Sequence, residues 1–528
     1  VKTNVMLSLL RNSNKLQNSV ILGLLCLLLF VTRIISFREL SLDPDELEWL
    51  YDIRKCLIDP RPFLGFDAHT SGPFAIYLLS FFKLLTGFTN VYQLRLVSFF
   101  FFIIPSLLFL NKSLNSSSRF IGSLAFVVFL SCKNFPNFGE FYDGIFCYNT
   151  EYQILVFSAI LIWISRTKNT IGFFFVYAFI LFLLPFIKFQ SIPLTLFFGG
   201  FLLLKLWVDE KWKLSFLILG FYLLLNLIWI GYLYFSNLLP DFQYAYISHN
   251  LNYMGNLKIE QKAINPLNYI HRINEYYSFI YIFLILGAYY FLKLPVSIKK
   301  DDFKSLIKHP LTESILLFLV SSITIIISKS DYGHYYIYLF LPLSLFIADL
   351  FDLLKTKNTT IIALFIIILV VNFNFDFLGK SIGFVWSKAT QQSIAPYNFG
   401  KPFKNLANEK LVDWLKTHKD ISNNSIVILG WTQAQALYYV LRNDFSSNIR
   451  TSHSFCIRDS FEKKNWTDFQ KQESIFLADI QKENTLYIVD TWNLIEQFKG
   501  QKISNYISTH YDYQISFDEN KVYRRKNK

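Results

Sequence analysis

Leu42-Asp43-Pro44-Asp45-Glu46-Leu47-Glu48-Trp49 sets a run of carboxylates directly behind the first long apolar segment, residues 19–37. Ionised carboxylates are costly beside lipid and are usually kept there by a site that needs them. Pro44 suits the first position of a helix, which puts Asp45 and Glu46 in its first turn, where the dipole favours negative charge. Leu47, Leu50, Tyr51, Ile53 and Leu57, set among charges, predict an amphipathic helix over 43–59. Asp59-Pro60-Arg61-Pro62 stops it, because proline is poorly tolerated inside a helix.

Working outward, the whole chain of 528 residues is 53% hydrophobic, and its apolar residues gather in blocks of about 17–22, enough for a helix to cross a bilayer core. About eleven spans are expected: 19–37, 93–110, 119–133, 151–165, 170–187, 192–207, 214–235, 275–293, 311–328, 334–354 and 359–377. The first is read as a retained span rather than a cleaved signal, because it is long and no small-residue cleavage site follows. Residues 73–86 are apolar but too short, and are read as an interfacial helix. The formal charge of +13 fits basic loops between spans, and no basic–aromatic module points to nucleic acid.

This choice of spans can be checked against the positive-inside rule. It places Lys112 with Arg119, Arg166 with Lys168, Lys205 with Lys211 and Lys213, Lys299 through Lys308, and Lys355 with Lys357 on the cytoplasmic side. A full span at 73–86 would invert all of them. The exception is the outer loop 38–92, where Arg54, Lys55, Arg61 and Lys83 mix with the acids. After about Gly379 the composition changes. Ser425–Gly430 and Leu486–Asp490 read as buried strands, with helical stretches around 433–441 and 475–481. The expected architecture is therefore mostly α: a polytopic helical domain, 1–377, followed by a C-terminal α/β domain, 378–528, on the side of the acidic cluster.

On this topology Asp43, Asp45, Glu46, Asp67, His69, Arg95, Glu151, Lys188, Asp331 and His334 share the outer face, while the cytoplasmic face offers only solvated lysines. Cations such as Lys188, His334 and Arg95 can hold phosphate charge while a carboxylate deprotonates an acceptor. Other readings stay open for each. Asp45 or Glu46 can be a helix-start carboxylate, Lys188 can reach along apolar surface to the interface, and Glu151 can cap its helix. Asp67 with His69 is a fragment of a metal site, which leaves a divalent metal open without requiring one. The five cysteines show no metal-ligand spacing; an oxidising compartment would permit a Cys132–Cys147 disulfide but nothing demands it.

The order of these motifs resembles the GT-C superfamily of polytopic glycosyltransferases, in the flavour of bacterial relatives of protein O-mannosyltransferases and lipid A aminoarabinose transferases. Pro44-Asp45-Glu46-Leu47-Glu48-Trp49 matches the Asp-Glu motif, Asp67-Ala68-His69-Thr70-Ser71-Gly72-Pro73 stands where the family often has His-Pro-Pro-Leu, and Leu94-Arg95-Leu96 matches the following Arg-Leu. Asn149-Thr150-Glu151 resembles the second acidic position, usually Asp. Ile187-Lys188-Phe189-Gln190 resembles a Lys-containing outer turn, and Tyr332-Gly333-His334-Tyr335 with Leu341-Pro342 resembles the late His-Tyr and Leu-Pro pattern.

The resemblance implies an integral-membrane glycosyltransferase of a bacterial cytoplasmic membrane, with its site and C-terminal domain on the periplasmic side. The donor would be a monosaccharide on a polyprenyl phosphate and the acceptor a lipid, glycan or protein. Asp45 would be the general base and Glu46 would shape the acceptor site, with Arg95, Glu151, Lys188, His334, His69 and Asp67 binding substrate. A transporter or flippase for a lipid-linked glycan is the alternative. It would require mid-span charges and repeat symmetry between halves.

Overall fold

The computed structural model describes residues 15–37, 44–66, 68, 71–89, 91–131, 149–167, 170–248, 250–251, 266–285, 302–328, 333–354, 359–373 and 375–390. In the C-terminal part it describes 425–429, 466–482, 485–490, 493–517 and 520–526, with isolated positions between 410 and 464. Two compact units emerge. One comprises Val1–Arg38, Thr70–Ala75 and Tyr92–Phe399, and the other Glu39–His69, Ile76–Val91 and Gly400–Lys528.

The first unit is a helical bundle. Its helices are α1 (Lys15–Arg33), α4 (Val91–Ser98), α5 (Ile104–Ser113), α6 (Arg119–Leu130), α7 (Asn149–Thr167), α8 (Ile171–Ile187), α9 (Ile192–Val208), α10 (Trp212–Phe235), α11 (Pro266–Tyr277), α12 (Pro310–Ile327), α13 (Phe340–Leu354), α14 (Thr359–Asn372) and α15 (Phe375–Thr390). Among the described residues, five helices are long and apolar enough to cross a membrane: Tyr92–Ser113, Phe189–Val208, Trp212–Phe235, Pro310–Ile327 and His334–Leu354. Shorter apolar helices stand at Gln17–Arg33, Arg119–Leu130, Ile171–Ile187 and Ile362–Asn372. This is an integral membrane protein. Helix α10 exposes apolar side chains such as Phe216, Leu223, Leu227 and Ile230, as a lipid-facing helix does.

Packing follows the sequence patterns. Helix α7 carries a buried polar set, Asn149, Thr150, Glu151, Gln153 and Ser158, among Ile154, Leu155, Ala159 and Ile162, and packs against α5 and α8. Helix α13 is buried almost throughout, between α6 and α12. Its Asp352 accepts from Asn115 Nδ2 at 2.9 Å, Ser117 Oγ at 2.6 Å and Ser118 Oγ at 2.8 Å, clamping the turn ahead of α6. Between α4 and α5 the helix widens into a π turn, Phe99–Ile103. Pro105 explains it, having no N–H to return to residue 101.

The second unit holds α2 (Pro44–Ile58), most of α3 (Pro73–Thr86) and the C-terminal sheet. Helix α2 starts at Pro44, so Asp45 and Glu46 do occupy its first turn. Its buried face differs from the expected one. Glu46, Trp49, Leu50, Asp52, Ile53, Lys55 and Cys56 are buried, whereas Leu57 and Ile58 are exposed. Charge therefore enters the interior here, and apolarity alone picked the wrong last turn. Helix α3 has the bounds read from sequence; at 14 residues it spans about 21 Å, less than a bilayer core.

The small sheet has the order β1-β2-β4-β3, with β1 (Ser425–Leu429) parallel to β2 (Thr485–Asp490) and β3 (Tyr511–Phe517) and β4 (Asn520–Arg525) antiparallel. Helices α16 (Trp466–Lys482), α17 (Leu494–Gln497) and α18 (Lys502–His510) complete it, over a core that includes Leu429, Phe469, Phe476, Ile488, Phe498 and Ile507. Buried acids cap its helices. Asp490 accepts from the N–H groups of Leu494 and Ile495, both at 2.9 Å, and Glu473 accepts from Ile503 N–H at 2.8 Å. The expected strands at β1 and β2 are present; the β3–β4 hairpin, much of it only half-buried, escaped the sequence reading. The helix expected at 433–441 lies outside the described residues.

Burial pushes the Cys56 thiol up to about 11, with Asp52 and Asp59 adding to the shift. A raised thiol pKa makes the thiolate scarce at every pH below it, and the thiolate is the nucleophile. Cys56 should resist iodoacetamide at pH 8 in the folded protein and react at the rate of a model thiol once the protein is unfolded. Rapid labelling of folded protein at pH 8, located by peptide mass spectrometry, would contradict this packing.

Candidate functional site

At one end of the bundle the chain buries a triad of ionisable side chains. Glu151, in the first turn of α7, is fully buried and ion-paired to Lys188, while His334 Nε2 lies 3.7 Å from the same carboxylate oxygen, Glu151 Oε1. Thr150 Oγ1 donates to the other oxygen, Glu151 Oε2, at 2.7 Å. The Lys188 ammonium sits 4.9 Å from the centre of the Tyr335 ring, and the His334 and Tyr335 rings meet edge-on at 4.4 Å. A carboxylate so far from water persists because cations and hydrogen bonds replace its hydration.

Local sequence explains how Lys188 gets there. Pro185 stands in the last turn of α8, and Lys188 leaves helical geometry at φ −155°, ψ 129°. The carbonyls at the end of the helix then need donors. Ser191 Oγ donates to Leu184 O at 2.6 Å, Tyr246 OH to Pro185 O, and Gly72 N–H to Ile187 O at 2.9 Å. Gly72 approaches so closely that a Cβ there would overlap the Phe186 carbonyl and stand 2.7 Å from the Tyr246 hydroxyl. Three residues on, Ala75 O accepts from Gln153 Nε2 at 3.4 Å, so the segment from Gly72 to Ala75 ties the Lys188 turn to α7. The absence of a side chain at Gly72 thus has a steric cause.

Arg95 is buried in the last turn of α4, with its guanidinium 5.9 Å from the Tyr92 ring centre. Ser98, one turn further, donates to Asn149 Oδ1, which brings the end of α4 against the start of α7. Glu46 is fully buried on α2 in the other unit. The Asp45 side chain, and Asp43, Asp67, His69 and Asp331 altogether, lie outside what the structure describes, as do Cys132 and Cys147. Among the described residues, no group of three or more His, Cys, Asp or Glu side chains could hold a metal ion. Two buried amide oxygens near the triad in sequence, Gln153 Oε1 and Gln190 Oε1, have no hydrogen-bond partner among the described residues.

At the other end of the same helices lies a second cluster that the sequence reading missed. Arg166, fifteen residues and about 22 Å along α7 from Glu151, bonds Glu313 Oε2 at 2.7 Å and both oxygens of Asp349 at 3.1 and 2.9 Å. It also reaches Pro310 O and Ser314 Oγ, both at 3.0 Å. Lys205 Nζ and Ser165 Oγ bond Glu313 Oε1 at 3.0 and 2.8 Å. Arg166, with a nearly buried side chain, and Lys205, half-buried, are thus ion-pair partners, which corrects the reading of that face as solvated basic groups. The signal was available: Glu313 and Asp349 stand inside otherwise apolar spans, where a carboxylate calls for a partner.

No family model matches the chain, and no curated protein matches it with significance. Solved structures do. ArnT from Cupriavidus metallidurans bound to undecaprenyl phosphate superposes with a TM-score of 0.54 at 10% identity, over 96% of this chain and 97% of that one. The same protein in its apo state gives 0.52 at 11% identity, over 95% and 97%. Agreement across nearly the whole of both chains gives this protein the fold seen in these ArnT structures, a mostly helical chain with a small C-terminal sheet.

Proposed function

We propose that the protein transfers a monosaccharide, hexosyl or pentosyl, from a polyprenyl-phosphate carrier to an acceptor at the outer face of a bacterial cytoplasmic membrane. The observation that supports this most is the end-to-end likeness to ArnT, a protein solved with undecaprenyl phosphate bound. The buried cation Lys188 and neighbouring His334 at one end of the bundle fit a lipid phosphate, and the buried amide oxygens of Gln153 and Gln190 fit donors such as sugar hydroxyls. In this reading residues 378–528 form an extracytoplasmic domain.

The reaction is a single displacement. An acceptor oxygen or nitrogen attacks the anomeric carbon, the bond from that carbon to the phosphate oxygen breaks, and the polyprenyl phosphate leaves with the electron pair. Asp45, in the first turn of α2, takes the acceptor proton, and Glu46 beside it shapes the acceptor site. Arg95, Glu151, Lys188 and His334, together with Asp67 and His69, bind the two substrates. One displacement inverts the anomeric centre.

Replacing Asp45 by alanine should lower transfer by about 10²–10⁴-fold, the range for loss of a general base. Binding of radiolabelled undecaprenyl phosphate by the purified full chain should be unchanged. The measurement is mass spectrometry of envelope lipids, glycans and proteins from cells carrying wild-type or D45A protein, searching for one missing sugar. Undiminished sugar transfer by D45A would remove Asp45 from the mechanism. Normal composition in cells lacking the whole protein would remove the transferase reading itself.

A further inference from the structure

One helical turn beneath Glu151 the bundle holds a small, partly open cavity, lined by residues that include Ile154, Ser158, Leu317, Ser321, Tyr338 and Pro342. Its free volume, measured to the centre of a water molecule, is about 10 Å³, room for a single water. Two of its polar groups face a deficit. Ser321 is 1% exposed and Tyr338 5%, and among the described residues neither the Ser321 hydroxyl nor the Tyr338 hydroxyl has a hydrogen-bond partner. A buried hydroxyl left unbonded is costly, so two of them around one small space call for a shared partner.

We propose that this cavity is a site for one structural water that bridges Tyr338 on the segment opening α13 to Ser321 on α12, with Ser158 of α7 as a third partner. No side chain lining it is charged, so an ion has nothing to pair with there, and the volume is too small for a lipid or sugar group. A water with two or three polar partners fits a site of this size. The site also bears on the triad above it. The Tyr338 ring stacks on Tyr335 at 6.4 Å and 6°, and Tyr335 carries the Lys188 ammonium on its face. A water that holds the Tyr338 phenol therefore steadies the ring that supports Lys188.

The signs of two conservative substitutions separate a wet site from a dry one. If water bridges the hydroxyls, Tyr338→Phe and Ser321→Ala each strip it of a partner, and each lowers the thermal unfolding midpoint of the full chain in nanodiscs. The double variant then falls no further than the lower single, because both act through the same water. If the cavity is dry, deleting an unsatisfied hydroxyl leaves the midpoint unchanged or raises it. Singles that fail to lower the midpoint, or losses that simply add, overturn the proposal. A density map resolving ordered solvent supplies a direct check: a peak within about 3.2 Å of both hydroxyl oxygens is expected, and an empty cavity overturns the site. Neither measurement depends on what reaction the protein performs.

Discussion

Arg166→Ala is expected to destabilise the bundle by about 3–5 kcal/mol, the range for removing one partner of a buried ion pair. The side chain is 7% exposed and its guanidinium is fully used, in a fork on Asp349 and single bonds to Glu313, Pro310 O and Ser314. Without it, Asp349 still accepts from the Ser314 hydroxyl, and Glu313 keeps Lys205 and Ser165. Two cations and two carboxylates become one cation and two carboxylates in an interior that cannot hydrate them. Arg166→Lys should retain part of the loss, since an ammonium supplies the charge but not the planar fork. Thermal unfolding of the full chain in one detergent should rank wild type above R166K and R166K above R166A. An R166A midpoint within error of wild type would show that the cluster does not hold α7, α9, α12 and α13 together.

Gly72→Ala acts at the opposite end and should strike activity more than fold. The added methyl meets the Phe186 carbonyl, a backbone atom that can move only with the turn carrying Lys188. Overpacking of this kind costs about 1–3 kcal/mol. The larger consequence is that Lys188 shifts relative to Glu151 and His334. A displacement of about 1 Å of a positioned group can cost about 10²-fold in rate, and that is the loss expected in sugar transfer. Tyr246→Phe removes the hydroxyl that the methyl also approaches but leaves the carbonyl in place, so G72A/Y246F should not recover. Recovery in the double variant would place the clash at Tyr246 instead. Retained transfer in G72A would show that the turn around Lys188 tolerates the shift.

How much of this was legible beforehand varies with the kind of interaction. The start of α2 at Pro44 and both ends of α3 were readable because proline and the length of an apolar block act locally. Glu151, Lys188 and His334, separated by up to 183 positions in sequence (334 − 151), were readable as a set only because the alternation of spans puts them at one end of the bundle. Their mutual pairing was not. Lys188 was read as a free cation for phosphate or for the interface, and the fold gives it Glu151 as a partner. The Arg166–Glu313–Asp349–Lys205 cluster was passed over because Arg166 and Lys205 sit next to loops, where basic residues are ordinarily solvated.

Composition and periodicity by themselves determined that this is a polytopic membrane protein with a C-terminal α/β part, and motif order pointed to its fold. These depend on the length and polarity of single segments, which bilayer thickness and backbone hydrogen bonding constrain without reference to neighbours. Only the tertiary structure decided which charges are spent on one another, why Gly72 carries no side chain, and where two unbonded hydroxyls close on a cavity. The reason is physical. In an interior of low dielectric, a charge or hydroxyl is defined by the partner within about 3 Å of it, and that partner comes from a helix remote in the chain.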